Sequence, residues 1–218
     1  MSADAERSLE EGRAWLRQRL ELGAHPLDGL DVEAASAAVD TLAGLEPEPW
    51  AASWGAVADR FAAEAGEATD PAERRERWLQ AYRFSFIGRY PVPNHPAKER
   101  QYERAREFFL EATSLDDPPL QNVTVPFEGR ELRFYVVRPP GVERPPVVML
   151  WGGIDTWKEE MYDRLGGLLR SKGFAVLLVD MPGVGESPLL AGPDAERQWT
   201  PVRLARSMHK TRPQTTWR

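Results

Sequence analysis

The sequence predicts an α/β fold in which a helical region precedes the first strands of a sheet. Two uninterrupted apolar runs, residues 147–151 and 174–179, bracket a helix-like segment, which is typical of a buried parallel strand–helix–strand unit. Before it, apolar residues alternate with polar ones between 123 and 136 around a Glu-Gly-Arg turn, which predicts an antiparallel hairpin. Residues 5–113 instead space their apolar side chains three and four apart, as helices do.

The composition is that of an ordinary globular protein, with 42% apolar residues and no cysteine among 218. Histidine and acidic residues do not cluster at ligand spacing, so we expect no metal and no cofactor. The acidic N-terminus lacks a signal-peptide core, and no apolar run reaches the roughly 18 residues that span a bilayer. We therefore expect a cytoplasmic protein with no membrane partner.

The charge is unevenly distributed along the chain. Residues 203–218 hold five of the 28 basic side chains and none of the 34 acidic ones, so residues 1–202 carry a net charge of −11. The net negative charge of residues 1–202 argues against nucleic acid as the main partner.

Several helices are predicted in the first region, and their aromatic residues are interpreted as packing residues rather than as a cofactor site. Asp70 followed by Pro71 and Glu73 is a strong start signal, since it combines an N-cap acid, a proline in the first turn and an acid at N3. The first predicted helix is indicated by the helical spacing of Leu9, Leu16 and Leu20. The other predicted helices cover residues 34–45, 50–64, 71–90 and 97–113.

The stretch that carries the candidate chemistry begins where the first apolar run ends in Gly152-Gly153. Thr156 and Glu159 have the spacing of a capping box, which predicts a helix from about residue 157 to residue 172. Gly166 and Gly167 would weaken that helix by about 1 kcal/mol each. The second apolar run then leads into residues 180–187, a glycine-rich loop at the carboxyl end of a strand, where ligands bind in α/β sheets.

Taken together, these motifs resemble the first half of an α/β-hydrolase core. The Gly-Gly-Ile-Asp run at 152–155, Lys-Glu-Glu at 158–160 and Asp-Met-Pro-Gly-Val-Gly-Glu at 180–186 resemble the branch that contains fermentation-respiration switch protein and the pseudooxynicotine hydrolases. The resemblance implies that residues 1–118 form a helical lid and dimer contact and that residues 119–202 form the first half of the core. It also implies a small organic substrate and a likeness to serine esterases and carbon–carbon bond hydrolases.

The resemblance implies specific site residues as well. Main-chain N–H groups beside the double glycine would supply part of an oxyanion hole, where the lack of a Cβ lets backbone approach the substrate. The alternative interpretation of the double glycine is a tight strand-to-helix turn that binds nothing. The implied oxyanion residues are Gly152, Gly153 and Ile154, and the implied substrate-pocket loops contain Asp155, Asp180, Gly183, Gly185 and Glu186.

The catalytic triad of this class is missing from the sequence, because no serine lies in a G-x-S-x-G elbow. Ser53 is a near miss in a helical context. Ser187, Asp194 and His209 follow the expected order, but gaps of seven and fifteen residues leave no room for the strands that must separate them. A dinucleotide fingerprint at residues 183–185 is rejected too, since Pro188 replaces the third glycine.

The composition changes abruptly at Arg203. One hypothesis is that the reading frame shifts there, which would make residues 203–218 an unrelated tail; the alternative is a short helix over residues 202–208 with a frayed end. Without the neighbouring strand that carries the nucleophile, residues 147–151 would form an exposed sheet edge, so we expect self-association.

Two functions therefore remain open. The first is an α/β-hydrolase-like protein that is truncated and inactive by itself. The second is a non-catalytic interaction or dimerisation protein, whose helical region binds a partner or a second copy.

Overall fold

A computed structural model describes residues 7–127, 130–153, 155–181 and 183–187. The chain divides into two compact units, Met1–Leu115 and Asp116–Arg218. The first is a helical unit and the second a sheet unit, and the division falls close to the point where the sequence period changes from helical to alternating.

Five helices build the helical unit, and the helix start predicted at Asp70 is confirmed. Asp70 accepts a hydrogen bond from the N–H of Glu73, and Ser8 and Glu11 form a reciprocal capping box. No helix in the described part of the chain is long and apolar enough to cross a membrane. The helices are α1 (Leu9–Glu21), α2 (Val32–Thr41), α3 (Pro47–Glu67), α4 (Pro71–Gly88) and α5 (Pro96–Ser114).

Aromatic side chains from α3 and α4 form the centre of the helical unit. Phe84 stacks on Phe61 with ring centroids 5.4 Å apart and on Trp54 with centroids 6.2 Å apart. Trp50 packs against Trp54 and donates its indole N–H to the carbonyl oxygen of Ile87 over 2.9 Å. These contacts show that Trp54, Phe61 and Phe84 pack in the core of the helical unit.

The sheet unit has four strands in the order β1-β2-β4-β3. The predicted hairpin is confirmed, since β1 and β2 pair antiparallel with Val123 opposite Phe134. The predicted parallel pair is confirmed as well, with Trp151 of β3 opposite Val179 of β4. Strand β3 therefore lies at the edge of the sheet among the described residues. The strands are β1 (Gln121–Phe127), β2 (Arg130–Val137), β3 (Val147–Trp151) and β4 (Ala175–Val179).

The connection between β3 and β4 is not the continuous α-helix that the sequence predicts. It consists of α6 (Lys158–Met161), a π turn (Tyr162–Gly166) and α7 (Gly167–Ser171). The wider turn ends at the glycine pair 166–167. Glycine has a lower helix propensity than any other residue except proline. The ring of Tyr162 lies close to Gly166, where an added Cβ would come within 3.2 Å of Tyr162 Cδ2.

The capping box predicted for Thr156 and Glu159 is wrong. The helix begins one residue later, and the carboxylate of Glu160 accepts the N–H of Trp157 over 2.9 Å. Glu159 is instead fully buried and contacts groups from other elements. Tertiary burial thus overrides the local spacing rule at this position.

Candidate functional site

The two loops that the sequence singles out start at the same edge of the sheet. Strands β3 and β4 are parallel and in register up to Trp151 and Val179, so the residues that follow each strand emerge side by side. Gly152 and Gly153 follow β3, and Asp180 follows β4. The site is built from these two loops, the start of α6 and one face of β2.

Lys158, the first residue of α6, connects these elements. Its side chain is fully buried, and its Nζ lies 2.9 Å from Asp180 Oδ2, 2.8 Å from Glu186 Oε2 and 3.2 Å from Glu159 Oε1. A buried ammonium group is costly unless charged or polar partners compensate the lost hydration. One lysine thus holds three carboxylates from the helix start and from the loop after β4.

Asp180 extends this network to the backbone. Its Oδ1 accepts the N–H of Lys158 over 2.9 Å, and its Oδ2 accepts the N–H of Glu186 over 3.0 Å. One carboxylate therefore fixes both the start of α6 and the far end of the loop after β4. Gly185 is required here, because its φ is +64° and an added Cβ would lie 2.2 Å from the carboxyl carbon of Asp180.

Strand β2 supplies the remaining partners. Arg133 donates to Glu186 Oε1 over 3.1 Å, so Glu186 is held between two cations. The hydroxyl of Tyr135 donates to Glu159 Oε1 over 3.0 Å. The period of two places Arg133 and Tyr135 on the same face of the strand, and this face is the one directed at the ion cluster.

Burial raises the pKa of two members of the cluster. Burial raises the pKa of Glu159 above its usual value, although the ammonium of Lys158 opposes this shift. Burial also raises the pKa of Tyr135 well above its usual value, and the neighbouring carboxylate of Glu159 adds to the effect. Tyr135 therefore remains a neutral donor in its hydrogen bond to Glu159.

The two glycines after β3 differ in what the fold requires of them. A Cβ on Gly152 would lie 1.6 Å from the carbonyl oxygen of Thr156, so packing demands glycine there. A Cβ on Gly153 would meet nothing within 4 Å, and this residue is exposed. Ile154, the third implied oxyanion residue, lies outside the described residues. The tight-turn interpretation therefore accounts for Gly152 and leaves Gly153 without a packing reason.

The other predicted site residues have separate positions. Asp155 is exposed, and Gly183 lies in an exposed turn with a φ of +79°. Ser187 donates its hydroxyl to the carbonyl oxygen of Met181 over 2.9 Å and accepts the N–H of Val184 over 3.2 Å, so it closes a turn. Asp194 and His209, which complete the rejected triad, lie outside the described residues.

The structure thus brings Asp180, Gly185 and Glu186 together beside Lys158, which was not among the predicted site residues. The carboxylates of Asp180 and Glu186 contact Lys158 inside the fold and position the loop; a contact with substrate stays a prediction. The described residues contain no group of three or more acidic or histidine side chains arranged to hold a metal ion. The signal that could have revealed the network is the pair of polar residues, Arg133 and Tyr135, which alternate along β2 with the apolar residues Leu132, Phe134 and Val136.

Comparison with known proteins matches residues 31–191 to the family model described as esterase FrsA-like. The alpha/beta hydrolase xenA of Xenoacremonium sinensis is 32% identical over 173 residues, which are 75% of this chain and 41% of that protein. Esterase FrsA of Yersinia pestis (strain Pestoides F) is 28% identical over 152 residues, 68% of this chain and 37% of that protein. The chain therefore spans about two fifths of the length of these curated relatives.

Two solved structures share the fold at 23% identity. The 2,6-dihydroxy-pseudo-oxynicotine hydrolase matches with a TM-score of 0.61, covering 79% of this chain and 46% of that one. The protein AbyA5 matches with a TM-score of 0.57, covering 80% of this chain and 46% of that one. The α/β-hydrolase fold expected from the sequence is confirmed for the part of the core that this chain contains.

The glycine pair provides a matched test of the loop geometry. Gly152→Ala is expected to lower the free energy of unfolding by about 1–3 kcal/mol, because the methyl group would collide with the Thr156 carbonyl oxygen. Gly153→Ala is the control and should stay within about 0.5 kcal/mol of the wild type. Urea unfolding followed by circular dichroism measures both. Equal losses in the two variants would contradict the described loop.

Proposed function

The chain belongs to the esterase FrsA-like family of α/β hydrolases, and from this membership we propose that it carries the oxyanion side of a serine hydrolase site. The substrate class is a small organic ester or a compound with an activated carbon–carbon bond. The helical unit would serve as the lid of that site. The whole site would require a nucleophile, an acid and a histidine in addition to the residues described above.

The observation that carries the proposal is the open space at Gly153. Stabilising an oxyanion requires main-chain N–H donors about 3 Å from the developing charge, with no side chain blocking the approach. Gly153 meets the second requirement, since nothing lies within 4 Å of where its Cβ would be. Packing requires glycine at position 152 but not at position 153. This difference favours a role for Gly153 in letting a ligand approach the backbone. Losing one oxyanion donor typically costs about 3–4 kcal/mol in the transition state.

The ion cluster supports the same proposal because it fixes the loop from its far end. Residues 152–157 run from the end of β3 to Lys158, whose backbone N–H and side chain both bond Asp180. An oxyanion donor must be held in place before the charge develops, since a loop that reorganises during the reaction loses much of its effect. Lys158 and Asp180 are therefore proposed as positioning residues for the Gly153 loop.

A hydrolytic cycle needs a nucleophile that the 218 residues do not offer. No serine in the sequence has glycine both two positions before and two positions after it. Ser53 donates its hydroxyl to the Pro49 carbonyl oxygen within α3, and Ser187 closes a turn. We therefore propose that this chain alone does not hydrolyse esters.

The corresponding experiment measures release of nitrophenolate from p-nitrophenyl acetate by the full chain, together with labelling by a fluorophosphonate probe. We expect no turnover above the buffer rate and no labelled serine. Ser187→Ala and Ser53→Ala serve as matched controls and should behave like the wild type. Turnover that the fluorophosphonate abolishes, or that either substitution removes, would overturn this part of the proposal.

A second candidate function, self-association, is favoured by the exposed edge of the sheet. Among the described residues β3 pairs with β4 on one side and with no strand on the other. Its side chains Val147, Met149 and Trp151 are 68%, 43% and 52% exposed, which is unusual for an apolar strand. An exposed apolar edge strand is a template for pairing with another chain. We propose that two copies associate through β3.

Light scattering at micromolar concentration tests this association. The wild type is expected to show a mass above that of the 24.6 kDa monomer. Met149→Lys should shift the population to monomer, because a charge on an edge strand opposes pairing. Leu168→Lys, at an equally apolar and 56% exposed position on α7, is the control and should leave the mass unchanged. A wild type that is monomeric throughout would refute the association.

A further inference from the structure

The helical unit contains a cavity of about 410 Å³ that is separate from the site at the sheet edge. Its walls are formed largely by Trp15, Trp50 and Tyr90, together with Leu16 and Leu45. Trp15 and Tyr90 lie with their rings 24° from parallel and their centroids 6.4 Å apart. Trp50 presents its ring rather than a polar group, since its N–H is bonded to the Ile87 carbonyl oxygen. The volume and the aromatic walls are typical of a site for a small ligand.

Lys98 lines this cavity and is its distinctive feature. It lies in the first turn of α5 and is only 7% exposed. Among the described residues, no carboxylate forms an ion pair with its ammonium group and no acceptor forms a hydrogen bond with it. The stem of Lys98 is buried and its ammonium group, at the cavity wall, has no anionic partner among the described residues, so it is available to pair with an anion.

The surroundings of Lys98 are positive. Burial lowers the pKa of Lys98, and the charge of Arg89 lowers it further. Arg7 is the other basic residue of the cavity wall, and no aspartate or glutamate lines the cavity within the described part of the chain. The positive end of the α5 helix dipole adds to the positive potential at this site, because Lys98 lies in the first turn of the helix. The cavity therefore combines apolar walls with a positive charge that lacks a counter-ion.

We propose that this cavity binds a small organic carboxylate with an aromatic or apolar body. The carboxylate pairs with the ammonium of Lys98, and the body packs against Trp15, Trp50 and Tyr90. A hydrogen bond between two charged groups is stronger than one between neutral groups, so the charge of the ligand should dominate its recognition. A phosphate ester is a poorer fit, because its larger charge calls for several convergent donors, whereas the described wall offers few. All the residues involved lie in the helical unit, so the site does not depend on the esterase proposal.

The experiment compares phenylacetate with phenylacetamide, which has nearly the same shape and no charge. Isothermal titration calorimetry on the full chain is expected to show binding of phenylacetate at least about tenfold tighter than binding of phenylacetamide. Lys98→Met should remove that preference while leaving the weak binding of the amide unchanged. Lys172→Met, at an exposed lysine, is the matched control and should behave like the wild type.

Two further measurements keep the result interpretable. Lys98→Met removes a buried charge without a partner, so its thermal unfolding temperature should equal or exceed that of the wild type, and lost binding then cannot be attributed to lost folding. Leu45→Trp fills the cavity and should weaken both ligands. The proposal is overturned if phenylacetate does not bind, if it binds no tighter than the amide, if Lys98→Met keeps the preference, or if Leu45→Trp leaves binding unchanged.

Discussion

The buried ammonium of Lys158 is the interaction on which the rest of the sheet edge depends. It lies within 3.2 Å of three carboxylates, and one of them, Asp180, also bonds two backbone N–H groups. Removing water from these groups is costly, and their mutual attraction, together with the hydrogen bonds from Arg133, Tyr135 and the backbone, offsets that cost. The cluster is therefore an all-or-none arrangement. The same few charged atoms contact the start of α6, the end of β4 and the glycine turn before Glu186. These three segments are therefore fixed together.

This constraint explains why the loop after β3 can be both glycine-rich and well defined. The missing side chain of Gly152 leaves room for the carbonyl oxygen of Thr156, and six residues after Gly152 the chain is fixed at Lys158. Between these two points, Gly153 leaves open space beside the backbone. Glycine normally increases conformational freedom, so a rigid attachment at the next element is what makes such a loop suitable for positioning a donor.

Much of the fold could be predicted from local sequence. The start signal at Asp70, the spacing of the aromatic residues in α3 and α4 and the alternation in the hairpin are all local patterns, and each gave the correct element. The site could be predicted only in part. Asp180 and Glu186 stand out beside glycines, but their partner Lys158 is 22 and 28 residues away and resembles an ordinary polar helix residue. The spacing of Thr156 and Glu159 was misleading, because burial against Tyr135 outweighs the gain from a cap.

The central claim, that Lys158 holds the sheet edge together, is tested most directly by the unfolding free energy of Lys158→Met. Removing one partner from a buried ion cluster leaves the others uncompensated, which costs about 3–5 kcal/mol. We predict a loss of this size in chemical denaturation, or a sheet unit that no longer folds, whereas Lys172→Met at an exposed position should be neutral. A Lys158→Met variant as stable as Lys172→Met would contradict the account.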